Sequence, residues 1–302
     1  MHLALADSLL HLADAVAQTD PELSIDLQWQ ANTIRAGGRV PPLTFALYYR
    51  LTLALMKDDR AGAREFVAQM AANGPRRHNR LLLVTGTQTA MALVHHIATE
   101  GDPLLNFAPV SDVIATEFAG LLDQGFALMQ THLPELKAEI DAIVHEILLG
   151  HAQEGASIEF DGASHYQYWG LLMLNPKHHK TPLAVVEVLA HECAHSLLFG
   201  LTIEEPLVLN PDSETFVSPL RPDPRPMDGI YHATFVSARM AYAMERMALA
   251  ADLSEADRQA AKSAAATDRA NFASGLSVVR AHGRLSATGA AIMASAEAWI
   301  SG

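Results

Sequence analysis

Two histidines and a glutamate stand at a spacing that suits a metal-bound active site. His191, Glu192 and His195 form the pattern HExxH within EVLAHECAHSLL. Residues four apart on an α-helix share one face, so both imidazoles can hold one ion while Glu192 lies beside it as a catalytic residue. The surrounding residues are mostly apolar, and metal coordination offsets the cost of burying these polar groups. We therefore predict that His191 and His195 bind a catalytic metal ion.

A third ligand is expected, because catalytic metal sites usually have three protein ligands and one open position. The longer metzincin pattern is excluded, since its glycine and its third histidine are replaced by Leu198 and Leu201. Glu214, at a spacing similar to that of thermolysin-like peptidases, would complete a two-histidine, one-glutamate zinc site, but it lies in a proline-rich loop. His232 begins an amphipathic helix, which holds a side chain more rigidly than a loop. We favour His232 and keep Glu214 as the alternative.

The chain from Trp169 to Met240 resembles a family that is characterised by its HExxH motif and associated with modification of ribosomally made peptides. The matching stretches are GLLMLNP, EVLAHECAHSLL and SPLRPDPRPMDGIYHATFV. The third is the most specific, because HExxH alone is shared with many zinc peptidases. The resemblance covers about a quarter of the chain.

Members of this family look like iron(II)- and 2-oxoglutarate-dependent peptide β-hydroxylases. The resemblance implies that His191, His195 and His232 ligate iron(II), and that 2-oxoglutarate and dioxygen take the remaining positions. Three imidazoles depart from the two-histidine, one-carboxylate arrangement that is usual for non-haem iron. The role of Glu192 therefore stays open, between general base in a peptidase and orienting group in an oxygenase.

The co-substrate 2-oxoglutarate has a distal carboxylate that a binding pocket must neutralise, preferably with an arginine. Arg221 and Arg225 precede His232, and Arg239 follows it on the same helical face. We choose Arg225 and Arg239 as the co-substrate residues. The competing interpretation for each arginine is a surface ion pair with a nearby aspartate.

Hydrophobic periodicity predicts a mainly helical chain. Helices are predicted at about residues 2–18, 43–57, 60–72, 80–99, 111–131, 135–149, 228–249, 254–282 and 286–300. The apolar runs SIEF and YWGLLMLNP predict two short strands. Thr181 and Pro182 predict the start of the HExxH helix, which continues to Gly200, and residues 204–226 contain too many prolines for regular structure.

The predicted fold class is therefore mainly α with a small β-sheet beside the HExxH helix, an α+β fold with a zincin-like local arrangement. Residues 1–150 form a helical amino-terminal region that we associate with peptide recognition. Residues 151–302 form the metal-binding catalytic region, and the two can build one continuous fold. His165, Tyr166 and Tyr168 are predicted to line the substrate cleft, whereas His178 and His179 are expected in a solvated turn.

Charge restricts the expected partners, and cysteine content restricts the expected location. The chain has 34 acidic against 21 basic residues, which disfavours nucleic acid and anionic membranes and leaves a peptide or protein as the expected partner. Its single cysteine, Cys193, allows no intrachain disulfide, so a cytoplasmic location is expected, with the thiol buried and outside the site. The alternatives to a hydroxylase are a zinc metallopeptidase with Glu192 as base, and a non-catalytic peptide-binding scaffold with a structural metal.

Overall fold

Helices dominate the chain, and a small mixed sheet is enclosed among them. The computed structural model describes residues 1–74, 81–83, 93, 95–97, 107–152 and 161–301. In the first region the described helices are α1 (His2–Val16), α2 (Pro21–Arg35), α3 (Pro42–Met56), α4 (Arg60–Ala72), α5 (Asp112–His132) and α6 (Pro134–Ile143). The second region has α7 (Pro182–Leu201), α8 (Met227–Ala248), α9 (Glu255–His282) and α10 (Ala287–Ser301). The prediction of a mainly helical fold with a small sheet is confirmed.

The sheet joins both regions of the chain. Its strands are β1 (Leu81–Leu83), β2 (Phe107–Pro109), β3 (Glu146–Ala152), β4 (Gly162–Ser164) and β5 (Leu171–Leu174). The order is β1-β3-β5-β4, with β3 parallel to β1 and β5, while β4 is antiparallel to β5 at the edge and β2 is antiparallel to β3. One apolar core cluster contains residues from Leu5 to Ala265, so it also crosses the boundary at residue 150.

Two predicted helices are wrong in part because short apolar runs suit either a helix or a buried strand. Residues 81–83 of the predicted 80–99 helix form β1, although residues 95–97 are helical. The predicted 135–149 helix ends at Ile143, and the apolar residues after it form β3. The predicted strand in SIEF lies outside the described residues, whereas the one in YWGLLMLNP is confirmed as β5.

The HExxH helix α7 begins and runs as its sequence predicts. The Thr181 hydroxyl accepts a hydrogen bond from the Ala184 amide at 3.1 Å, and Pro182 occupies the first turn, where a missing N–H costs nothing. The helix packs against α5, α6, α8 and the edge strand β4. It is the one helix of the described chain that is long and apolar enough to cross a membrane, and 56% of it is buried inside the protein, as in a core helix.

The helix α8 brings a distant segment to the face of α7. It follows the proline-rich loop, which is irregular except for the short antiparallel pair β6 (Thr215–Phe216) and β7 (Arg225–Pro226). Helix α9 lies close along α8, where a methyl group added to Gly275 would meet the Thr234 hydroxyl at 2.1 Å. Because only a residue without a side chain fits there, α8 is held firmly on its far side.

Candidate metal centre

His191 and His195 lie one turn apart on α7, and their rings meet edge to face. The ring centroids are 5.1 Å apart with an interplanar angle of 62°. The His191 ring is partly exposed, since 38% of its side chain is accessible, and its Nδ1 lies 3.1 Å from the sulfur of Met240 on α8. The two histidines of the motif thus share the face that the spacing predicts.

His232 of α8 lies directly against His195. The two Nδ1 atoms are 3.1 Å apart and the rings stack with centroids 5.4 Å apart. One nitrogen must donate and the other accept, so the two neutral imidazoles have different tautomers. The fold therefore brings together His191, His195 and His232, the three residues proposed as metal ligands.

Burial keeps these imidazoles neutral. The protein atoms packed around His191 exclude enough water, despite the accessible part of its side chain, to lower its pKa to about 4, with a further decrease from the charge of Arg221. Burial also lowers the pKa of His195 well below the usual value, and that of His232, where the charge of Asp228 partly opposes the effect. Neutral imidazole is the form that binds a metal ion, so no proton has to be displaced from a charged ring.

The donor set fits an imidazole-bound metal, although its side chains are not arranged around one point. Two nitrogens bound at about 2.1 Å to one ion are about 3.0–3.4 Å apart at octahedral to tetrahedral angles, which matches the separation of the His195 and His232 Nδ1 atoms. However, no group of three histidine, cysteine, aspartate or glutamate side chains in the described ranges stands as a ready ligand set. The His191 ring is turned to Met240, so binding requires ring rotation.

Glu192 is buried on the sheet side of α7. A methyl group added to Gly162 of β4 would come within 2.7 Å of its Oε1 atom, so the strand backbone lies directly against the carboxyl group. Burial raises the pKa of Glu192 to about 8, with Asp161 adding to the rise and Ser164 partly opposing it. The Ser164 hydroxyl is buried and has no hydrogen bond of standard geometry to a described residue. The carboxyl oxygen lies 3.8 Å from Nε2 of His191.

Glu214, the alternative third ligand, is occupied elsewhere. Its carboxylate pairs with Arg284 at 3.0 Å and accepts a hydrogen bond from the Asn210 amide at 3.1 Å. Both hydrogen bonds lower the pKa of Glu214, and the bond from Asn210 has the larger effect. The fold brings His232, and not Glu214, to the histidines of the motif.

The two arginines chosen from the sequence are both engaged in ion pairs. Arg225 pairs with Asp223 at 2.8 Å on the surface. Arg239 pairs with Glu139 of α6, and its Nε atom is buried without a hydrogen bond to any described residue. Arg221, by contrast, is exposed, makes no ion pair within the described residues, and acts on the pKa of His191. Of the three histidines, it is His191 on which this charge acts.

Several neighbours of the site were predicted wrongly or not at all. His179 is 7% exposed and bonds through Nε2 to the Asp161 carbonyl at 3.0 Å, so it is not in a solvated turn, whereas His178 is exposed. Tyr168 is completely buried with its hydroxyl 2.8 Å from Nδ1 of His96, and therefore lines no cleft. Met240 and Phe199 were not singled out, although both lie one or two turns from a histidine of the site.

Cys193 is buried, as predicted, on the other side of α7. Burial raises the pKa of its thiol well above the usual value, and the charges that act on it belong to Glu139 and Arg239. The thiol is thus an uncharged core group.

Comparison with protein-family models found no match, and comparison with curated proteins found none either. The resemblance of residues 169–240 therefore rests on their motifs alone.

Proposed function

We propose that the protein is an iron(II)- and 2-oxoglutarate-dependent oxygenase that hydroxylates a side-chain β carbon of a peptide or protein. Iron would be held by His191, His195 and His232 in a zincin-like arrangement of α7 beside the edge strand. The balanced reaction consumes 2-oxoglutarate and dioxygen, and yields succinate, carbon dioxide and the hydroxylated side chain. When bound, iron supplies the activation of dioxygen.

The observation that carries this proposal is the contact between His195 and His232. A zinc peptidase of the two-histidine, one-glutamate type needs Glu214 at the site, but this residue is held by Arg284 and Asn210. A three-imidazole ligand set needs His232, whose Nδ1 lies 3.1 Å from that of His195. The geometry thus favours the ligand set of the hydroxylase.

The charge of Arg221 supports the proposal of an anionic co-substrate. Arg221 is exposed, and its charge acts on His191. A guanidinium without a carboxylate partner can bind the distal carboxylate of 2-oxoglutarate through two parallel hydrogen bonds. We therefore assign this role to Arg221 in place of Arg225 and Arg239, which already have acidic partners.

Two of the protein's own groups border the proposed ligands. The buried Glu192 carboxyl lies against the backbone of Gly162, 3.8 Å from Nε2 of His191, so it would accept a hydrogen bond from that ring after the rotation that metal binding requires. The Phe199 ring, 5.3 Å from that of His232, forms an apolar wall beside the ligands and limits the access of water.

The test is a turnover assay with iron(II), 2-oxoglutarate and dioxygen. Succinate formation is measured with and without peptide pools, and labelled dioxygen identifies peptides that gain one oxygen atom. We expect succinate from the natural chain and from His11→Ala, an exposed histidine of α1, and none from His232→Ala. Metal-dependent hydrolysis of the peptides without succinate would instead establish a peptidase.

A further inference from the structure

Met240 of α8 holds the ring of His191 in its present position. Its sulfur lies 3.1 Å from Nδ1 of His191. A thioether sulfur accepts hydrogen bonds but donates none, and two facing lone pairs would repel at this distance, so Nδ1 carries the proton of the neutral ring. The contact therefore determines both the tautomer of His191 and the direction in which its ring points.

The same contact opposes metal binding. A metal ion shared with His195 and His232 requires the His191 ring to turn away from Met240, so the sulfur and the ion compete for the position of the ring. A thioether is a weak hydrogen-bond acceptor, and the competition is therefore mild. A stronger acceptor at the same place would hold the ring more firmly and weaken metal binding.

Oxidation of the sulfur creates such an acceptor. A peroxide transfers one oxygen atom to the thioether: the O–O bond breaks, an S–O bond forms, the sulfur loses two electrons, and hydrogen peroxide leaves as water. The product, methionine sulfoxide, is polar, and its oxygen atom can accept the Nδ1–H hydrogen bond of His191. Methionine sulfoxide reductases reverse the reaction, so the change need not be permanent.

Met240 is open to a small oxidant, unlike the methionines that follow it on α8. It is half-buried, and it lies beside His191, of whose side chain 38% is accessible. Met244 and Met247 are completely buried. Met56, at the end of α3, is 84% exposed and provides an oxidisable methionine for comparison.

We propose that Met240 is a site of reversible oxidation by peroxide, and that its sulfoxide oxygen holds His191 away from the metal ion. Oxidation then lowers the metal affinity of the protein, and reduction of the sulfoxide restores it. The inference rests on the proposed function only for the role of His191 as a metal ligand.

The test treats the metal-free full chain with hydrogen peroxide, removes the peroxide and titrates zinc in competition with a chromophoric chelator. Peptide mass mapping measures the oxygen gained at each methionine, and circular dichroism shows whether the fold is kept. As Met240 is oxidised, we expect zinc affinity to fall about threefold to tenfold, the effect of one strengthened hydrogen bond. Treatment with methionine sulfoxide reductases should restore the affinity.

Substitutions assign the effect to one residue. Met240→Leu removes the sulfur and should make zinc affinity insensitive to peroxide. Met240→Gln places an amide oxygen near the position of the sulfoxide oxygen, and should lower the affinity about threefold to tenfold without peroxide. Met56→Leu is the matched control and should leave the response to peroxide unchanged. Unchanged affinity after complete oxidation of Met240, an equal loss in Met240→Leu, or normal affinity in Met240→Gln would overturn the proposal.

The outcome can be separated from that of the proposed function, because zinc binding needs neither 2-oxoglutarate nor turnover. Zinc affinity that depends on the oxidation of Met240, in a protein that forms no succinate, would support the inference and refute the oxygenase. Succinate formation with an unchanged dependence on iron(II) after complete oxidation of Met240 would support the oxygenase and refute the inference.

Discussion

The Nδ1 atoms of His195 and His232 lie 3.1 Å apart, although 37 residues separate them in the chain. The contact connects the HExxH helix α7 to α8, and α9 packs closely against the other side of α8. Since both rings are held neutral by burial, the pair can offer two Nδ1 lone pairs to an ion once the donating ring takes the tautomer that carries its proton on Nε2. The main prediction of the structure is therefore that His232 completes the metal site.

Metal affinity should depend on His232. Loss of a group that merely supports a ligand weakens metal binding about 10–100-fold, so loss of a ligand should weaken it at least about 100-fold. We expect this effect in His232→Ala and no change in His11→Ala, measured by competition with a chromophoric chelator. An equal loss in Glu214→Ala with normal affinity in His232→Ala would favour the peptidase ligand set.

One methyl group added to Gly162, where β4 meets the motif helix α7, should lower both activity and stability. In Gly162→Ala the new Cβ would lie 2.7 Å from Oε1 and 3.0 Å from Cγ of Glu192, so the carboxyl group must move. We expect succinate formation to fall at least tenfold, by an order-of-magnitude argument, and stability to fall by about 1–3 kcal/mol. Turnover and urea unfolding are measured on the same samples.

The matched control for this change is Gly120→Ala on the exposed face of α5, where nothing lies within 4 Å of the added carbon. Alanine there should keep turnover and raise stability by up to about 1 kcal/mol, since glycine is a poorer helix former. Full activity of Gly162→Ala would show that the position of Glu192 is unimportant.

Binding of the co-substrate through its distal carboxylate should depend on Arg221. We expect Arg221→Ala to raise the KM for 2-oxoglutarate by about 10–100-fold, the cost of losing a charge-assisted pair. Arg225→Ala, which breaks only a surface ion pair with Asp223, should have little effect. Succinate formation as a function of co-substrate concentration measures both variants, and the reverse result would return the role to Arg225.

A buried aspartate should make stability depend on pH. Asp268 of α9 is 4% exposed, and its Oδ2 has no hydrogen bond to a described residue. Burial, and then the charge of Glu187, raises the pKa of Asp268 to about 7. The pKa of Asp268 is therefore higher in the folded than in the unfolded protein. Below about pH 4 the carboxyl group is protonated in both states, and stability is unaffected. As the pH rises from about 4 to about 7, the unfolded protein ionises more readily, so the free energy of unfolding decreases.

Asp268→Asn removes this charge and should therefore stabilise the protein at pH 8 by about 2–4 kcal/mol, with a much smaller gain near pH 4. The exposed Asp26→Asn on α2 is the control and should change stability little at either pH. Urea unfolding at the two pH values gives the comparison. A gain that is equal at both would mean that Asp268 is not protonated in the folded state.

The parts of the fold that the sequence predicts best are helices with caps and regular apolar spacing. The start of α7 is predicted from Thr181 with Pro182, and the cap is present. Helix α2 was missed because Ile25 and Trp29, 63% and 56% exposed, add apolar residues to its outer face and hide the periodicity of the buried one.

The candidate site, like the fold, is predictable from the sequence only where local geometry determines it. The shared face of His191 and His195 follows from their spacing, because helical geometry determines it locally. The choice of His232 rests on the rigidity of its helix and on the resemblance, since no local rule of sequence connects two helices. Which arginine remains without an acidic partner depends on tertiary neighbours: Glu139 lies 100 residues from Arg239, and such a pairing leaves no signal in one sequence.

The most direct measurement is anaerobic addition of iron(II) and then 2-oxoglutarate to the metal-free protein, followed by visible absorption. Bidentate binding of the co-substrate to iron produces a charge-transfer band, which we predict for the natural chain and for His11→Ala, and which should be absent in His232→Ala. No band from the natural chain, together with tight zinc binding and peptide hydrolysis that Glu192→Gln abolishes, would contradict the assignment as an oxygenase.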